Sequence, residues 1–133
     1  MKKNLAGKMI CIVDGDSYIR SNLAGALRAE GATVHEIEDG EEALHLDLNQ
    51  PLSLIMLDIL IPHLEGIYFL RTVRLDSRGK NIPVIVFTSI SATDPSLIRL
   101  IAELKPLHYF IKGNISIPEL MTTIRETLVP VDI

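Results

Sequence analysis

The chain has 133 residues, enough for one domain around one sizeable core. An apolar share of 47% and a charged share of 23% are ordinary for a soluble globular protein, and a formal net charge of -4 argues against a nucleic-acid partner. The single cysteine, Cys11, excludes an intrachain disulfide framework and a cysteine-rich metal site; set in an apolar run, it reads as a small core residue. Lys2 and Lys3 precede an apolar stretch, but Asp14 and Asp16 cut it short of a signal or membrane segment. The expectation is a cytoplasmic protein with no membrane partner. With no linker, repeat or low-complexity tract, a single domain over 1–133 is expected, its core at about 8–129 and no output domain after it.

In chain order, the apolar run 9–13 predicts a buried strand, followed at once by Asp14-Gly15-Asp16-Ser17. A helix over about 17–30 carries Ile19, Leu23, Ala26 and Leu27 on one stripe and ends on Gly31. Asp16 and Ser17 read as its caps. The more polar segment 33–37 reads as an edge strand. Asp39, with Glu42 three residues on, starts a helix expected to run to about Asn49, before Pro51. Residues 53–57 form a continuous apolar strand that runs into Asp58.

After a turn at Pro62, a helix is expected over about 65–75 with Ile67, Leu70 and Val73 inward, then a polar loop over 76–81. Residues 83–88 make another buried strand ending in Thr88. A helix from about Pro95 to Leu104 follows, since proline suits a first helical turn. Its Leu97, Ile98, Leu100, Ile101, Ala102 and Leu104 wrap more of the circumference than one buried stripe needs. Residues 107–111 form the last strand, followed directly by Lys112. Ser116 and Glu119 then form a capping box for a final helix bearing Leu120, Ile124 and Leu128.

Strands alternating with helices five times over imply an α/β fold, a parallel sheet with helices on both faces. The fold expected is the flavodoxin-like, doubly wound (βα)5 sandwich, whose five-stranded parallel sheet has the order 2-1-3-4-5. In that order Asp14, Asp58, Thr88 and Lys112 share one rim, because each ends a different strand. Two carboxylates in one pocket repel, which a cation relieves; Mg²⁺ accepts one or two carboxylates with waters and a phosphate. A carboxylate is also a nucleophile toward phosphorus, and Mg²⁺, Lys112 and the Thr88 hydroxyl can stabilise the transferred group. Asp58 stands some residues ahead of the next helix, so it is not a helix cap.

MICIVDGD at the start, EDGEEAL at 38–44, LIMLDILIPHLEG at 54–66, NIPVIVFTS at 81–89 and YFIK at 109–112 carry a resemblance over essentially the whole chain. The chain resembles the receiver domain of bacterial two-component response regulators, the CheY-like fold. The resemblance implies that Asp58 is the phosphoacceptor, and that Asp14, Asp58 and the main-chain carbonyl of Leu60, with Asp16 as a further candidate, face Mg²⁺. It implies that Thr88 and Lys112 bind the phosphoryl group and that Tyr109 is the switch aromatic moving with Thr88. The partners it implies are a sensor histidine kinase or phosphotransfer protein and an effector protein or output domain. Homodimerisation through the fourth helix, fifth strand and fifth helix also follows from it.

The chain departs from the family pattern in three places. Gly15 stands where a second acid is usual, which weakens the metal site. Gly113 follows Lys112 where proline is usual, and Leu104-Lys105-Pro106-Leu107 replaces a Gly-Ala turn. A second reading follows from Gly15: a degenerate receiver that binds a protein partner without phosphorylation. A third is a haloacid-dehalogenase-like phosphatase with Asp14 as nucleophile and Asp16 as acid, against which Asp58 goes unexplained. A flavin site lacks a phosphate-binding loop after the first strand. His35, His45, His63 and His108 are scattered and form no ligand set.

Overall fold

Five parallel strands position everything else in the computed structural model, which describes residues 4–61 and 64–129. Strands β1 (Met9–Val13), β3 (Leu54–Leu57) and, further on, β6 (Val84–Thr88) are almost wholly apolar, and they take the middle of the sheet, where both faces are covered. Strand β2 (Thr33–Ile37), which carries His35 and Glu36, lies at one edge, and β7 (His108–Ile111) lies at the other. Between β3 and β6, β4 (Leu60–Ile61) and β5 (Leu64–Glu65) pair antiparallel in a separate two-stranded ribbon. The main sheet runs β2-β1-β3-β6-β7, which is the expected 2-1-3-4-5 order once the ribbon is left out of the count.

Alternation along the strands divides the core into two layers. Ile10, Ile12, Leu54, Met56, Ile85 and Phe87 face α1 (Ser17–Ala29) and α5 (Ile117–Leu128), meeting Leu23, Leu27, Leu120 and Ile124. Cys11, Val13, Ile55, Leu57, Val84 and Val86 face the opposite way, onto Ala43 of α2 (Gly40–Ala43), Phe69, Leu70 and Val73 of α3 (Gly66–Leu75), and Leu104 of α4 (Pro95–Leu104). The period of two in the strands thus gives each face its own apolar set.

Local signals hold the helix ends. Asp16 caps α1 by accepting from the Tyr18 and Ile19 amides at 3.0 and 3.1 Å, and Gly31 past its end takes a φ of 95°. Asp39 accepts from the Glu42 amide at 2.8 Å, and Ser116 and Glu119 complete the capping box of α5. Among the described residues no helix is long and apolar enough to cross a membrane.

One expectation fails, and one element was not foreseen. The second helix stops at Ala43 and does not reach Asn49. Beyond it the apolar residues recur at every second position, Leu44, Leu46 and Leu48, which no helix can turn to one face. Leu46 and Leu48 pack onto the core from irregular backbone, while the Asp47 carboxylate takes the Asn49 amide at 2.9 Å and closes a turn. The short ribbon between β3 and α3 was not expected at all; the turn assigned to Pro62, and His63 with it, lie outside the described residues.

Candidate functional site: a lysine between two aspartates

The register of the sheet brings four strand ends to one rim. The Asp14 amide donates to the Ile37 carbonyl at 3.0 Å, the Asp58 amide to Val13 at 2.9 Å, and the Lys112 amide to Thr88 at 2.8 Å. Each residue is therefore held by the neighbouring strand's last carbonyls. Asp14, Asp58 and Thr88 are buried, at 2%, 5% and 0% exposure. Buried charges of this kind persist only when paired.

Lys112 supplies the pairing. Its Nζ lies 2.8 Å from Asp58 Oδ2 and 2.9 Å from Asp14 Oδ2, with Asp14 Oδ1 at 3.1 Å. Asp58 Oδ1 accepts from the Thr88 hydroxyl at 2.6 Å and from the Leu60 amide at 2.9 Å. Asp14 Oδ1 accepts from the Asp16 amide at 2.8 Å. Burial pushes the Asp14 carboxyl above the usual carboxylate range, an effect that the bonds from Lys112 and the Asp16 amide only partly reverse. Burial also pulls the Lys112 ammonium down, but the bonds to Asp58 and Asp14 outweigh it and hold the lysine above its ordinary value. The ammonium is thus firmly protonated between its partners.

Tyr109 is half-buried beside the second core layer, and its hydroxyl donates to the Ile90 carbonyl at 2.6 Å. Burial first, and the Asp58 charge second, raise its phenol above the ordinary value. It does not touch Thr88 by hydrogen bond; the link runs through the segment after β6.

Arg20 was missed by the sequence reading. Its Nη1 donates to the Asp14 carbonyl at 2.7 Å, and its Nε lies 3.4 Å from Glu36. A basic residue one turn into α1, opposite Glu36 on the neighbouring strand and Glu38 just past its end, is the charge pattern that points to it. The guanidinium holds the turn that carries Gly15.

The doubly wound sheet and this rim define the class: a CheY-like α/β domain. Compared with solved structures, the fold is similar to the chemotaxis response regulator CheY4 of Vibrio cholerae, with a TM-score of 0.78 at 24% identity over 91% of this chain and 98% of that one. It is also similar to the receiver domain of HemR from Leptospira biflexa, with a TM-score of 0.80 at 18% identity over 95% and 98%. A third relative in fold is the receiver domain of the sensor histidine kinase PA1611 of Pseudomonas aeruginosa PAO1, with a TM-score of 0.77 at 22% identity over 95% and 100%; it is described with a magnesium ion coordinated in its active site cleft. The response regulator receiver domain profile matches residues 10–125, and the chain belongs to that family. Among curated proteins it is 35% identical over 80 residues to the response regulator MprA of Mycobacterium sp. (strain KMS), a match covering 60% of this chain and 34% of that protein. The matched stretch spans about a third of that relative's length.

The metal expected from the family finds a different donor set in this chain. Position 15 is glycine, and the Asp16 carboxylate is engaged as the cap of α1. Three of the four carboxylate oxygens of Asp14 and Asp58 already accept hydrogen bonds, two of them from Lys112, and the fourth, Asp14 Oδ2, lies 2.9 Å from the same ammonium. Among the described residues no three acidic, histidine or cysteine side chains converge as a ligand set. Mg²⁺ takes one or two carboxylates and fills its octahedron with waters, but here both available carboxylates are already shared with the Lys112 ammonium. The residues present do not fit a resident divalent ion.

Proposed function

We propose that this chain acts as a single receiver domain in cytoplasmic two-component signalling, with Asp58 as the phosphoacceptor. The observation that carries the reading is the pair of contacts on Asp58: a threonine hydroxyl on one oxygen and a lysine ammonium on the other. The donor is a phosphohistidine on a sensor kinase or phosphotransfer protein. An Asp58 oxygen attacks phosphorus, the new O–P bond forms as the donor's P–N bond breaks, and the imidazole leaves with the electron pair. Lys112 balances the charge that gathers on the phosphoryl oxygens, and Thr88 hydrogen-bonds one of them.

Thr88 and Lys112 already touch Asp58, at 2.6 and 2.8 Å, so the added phosphoryl group re-aims both from the carboxylate to its own oxygens. Thr88 ends the strand whose continuation holds the Ile90 carbonyl, so a shift there alters the bond to Tyr109. Tyr109 borders a groove of about 490 Å³ between α4 and β7, lined by Ile98, Ile101, Ala102, Leu107 and His108. Partner docking, whether to an effector, an output domain or a second copy, is assigned to this face of α4, β7 and α5. The domain changes its affinity for a partner and turns over no external substrate.

The test is intact mass after incubation with a small phosphodonor. A single phosphate adduct is expected, lost in Asp58→Ala. No adduct, or one that survives the substitution, overturns the reading.

One observation favours a phosphorylation-independent module: the half-exposed Ile98 and Leu107 already flank the groove in this state. Partner binding unaltered by Asp58→Ala would select it. The phosphatase reading draws no such support, because the acid it requires, Asp16, is a helix cap.

A further inference from the structure

We propose that Lys112 is itself the working cation of this pocket, so that Asp58 takes up a phosphoryl group without a divalent metal ion. The inference rests on Asp58 as phosphoacceptor and goes further, by assigning Asp14 a different task from the one expected of it. Asp14 sits within 3.1 Å of the ammonium through both carboxylate oxygens, and its main-chain carbonyl is pinned at 2.7 Å by Arg20. It is a positioning residue that holds Lys112 beside Asp58.

Charge accounts for the arrangement. Asp14 and Asp58 carry two negative charges, and Lys112 bonds to both. Arg20 brings a second positive charge against the Asp14 turn. Lys112 thus offsets one of the two carboxylate charges inside the pocket, while Arg20 is itself shared with Glu36 and Glu38. A divalent cation entering between the same carboxylates meets the ammonium at hydrogen-bond range and gains no third carboxylate, since Gly15 has no side chain and Asp16 faces the α1 amides. When Asp58 becomes an acyl phosphate, its Oδ2 contact with Lys112 is replaced by a phosphoryl oxygen, and Asp14 keeps the lysine in place for it.

With acetyl phosphate as donor, the Asp58 oxygen forms the new bond to phosphorus, the acetyl oxygen–phosphorus bond breaks, and acetate leaves with the electron pair. No co-reactant is needed.

Two measurements decide the inference. The first follows the amides of residues 14–16, 58–60 and 112 by NMR during titration of the folded chain with Mg²⁺, and with Mn²⁺ as paramagnetic probe. We expect no saturable binding at millimolar metal in the native chain, and binding gained in Gly15→Asp. Gly15 is exposed and its φ is not positive, so the aspartate is accommodated. Saturable millimolar binding by the native chain, or no gain in Gly15→Asp, overturns the inference. The second measures adduct yield from acetyl phosphate in EDTA and in excess Mg²⁺. Equal yields support the inference, and an adduct only with Mg²⁺ overturns it while leaving Asp58 as phosphoacceptor. No adduct in either condition removes the phosphoacceptor reading and, with it, the claim of metal-free uptake.

Discussion

The Tyr109 hydroxyl donates a 2.6 Å hydrogen bond to the main-chain carbonyl of Ile90, tying the edge strand β7 to the segment that leaves β6 just after Thr88. The ring itself is half-buried, so the bond is shielded from water on one side. In Tyr109→Phe the ring packing stays and the carbonyl loses its partner. We expect a loss of about 1 kcal/mol in urea unfolding. Faster amide exchange is expected over 89–93 with little change elsewhere. Unaltered exchange in that segment would show that the bond does not hold it.

Gly66 lies where the chain crosses back over the Asp58 turn. A Cβ there would come within 2.5 Å of Ile59 Cα and 2.8 Å of the Asp58 carbonyl, both of them backbone atoms. The Gly66 amide also donates to Ile59 at 3.0 Å, so the two segments cannot simply part. Gly66→Ala should cost on the order of 1–3 kcal/mol by forcing the backbone at Asp58 to shift. The phosphate adduct should fall with it. Gly113 is the control: nothing lies within 4 Å of its added Cβ, and its φ is not positive. Gly113→Ala should be neutral, or stabilise by about 0.5 kcal/mol through a less free unfolded chain. Thermal unfolding of the two variants side by side checks both signs.

Arg74 bonds four carbonyls and no carboxylate: Nε to Leu104 at 2.7 Å, Nη1 to Ile82 at 2.7 Å and Gly79 at 3.0 Å, and Nη2 to Lys105 at 3.3 Å. It closes the carboxyl end of α4, where Lys105 takes a left-handed φ of 54°. Burial lowers its guanidinium from the ordinary value, the only cause at work. Arg74→Met keeps the apolar stem and removes every donor. With charged-donor bonds at about 1.5–3 kcal/mol each and some carbonyls regaining water, we expect a net loss of about 3 kcal/mol. Arg74→Lys should recover part of it, since an ammonium cannot span the fork. Denaturant midpoints of the two variants decide, and equal losses would show that the fork geometry is irrelevant.

Cys11 is fully buried in β1, and its thiol is pushed up from 9.0 to about 12, first by burial and second by the nearby Glu42 charge. The folded state therefore disfavours the thiolate. The stability this contributes is fully present below the unfolded value near 9 and is lost as pH rises through about 12. Iodoacetamide at pH 8 should leave the native chain unlabelled and label it completely in urea. Rapid labelling of the native chain at that pH would mean that β1 opens or that the thiol is exposed.

What could be read in advance followed from runs and their ends. The continuous apolar strands announced a covered parallel sheet, and a polar residue at the end of each run announced a shared rim. Asp14, Asp58, Thr88 and Lys112 were legible for that reason, and Asp16 was legible as a cap because caps are local. The end of α2 was misread because Asp39 and Glu42 signal only a start; the alternation at Leu44, Leu46 and Leu48 was the available warning. The ribbon of β4 and β5 has two-residue strands, too short for any periodicity to appear.

The chain's order of residue types was enough to determine the layers and the four strand-end side chains, since burial patterns and caps act over neighbouring residues, whereas the order of the strands across the sheet is a property of the folded chain. Only the folded arrangement decided how those side chains spend their charges. Lys112 bridges carboxylates 98 and 54 residues away, and Arg20 and Arg74 reach main-chain carbonyls on other segments. Such partners are chosen by distance in space and by the need to neutralise what the core has enclosed, and neither is written in the spacing of a sequence.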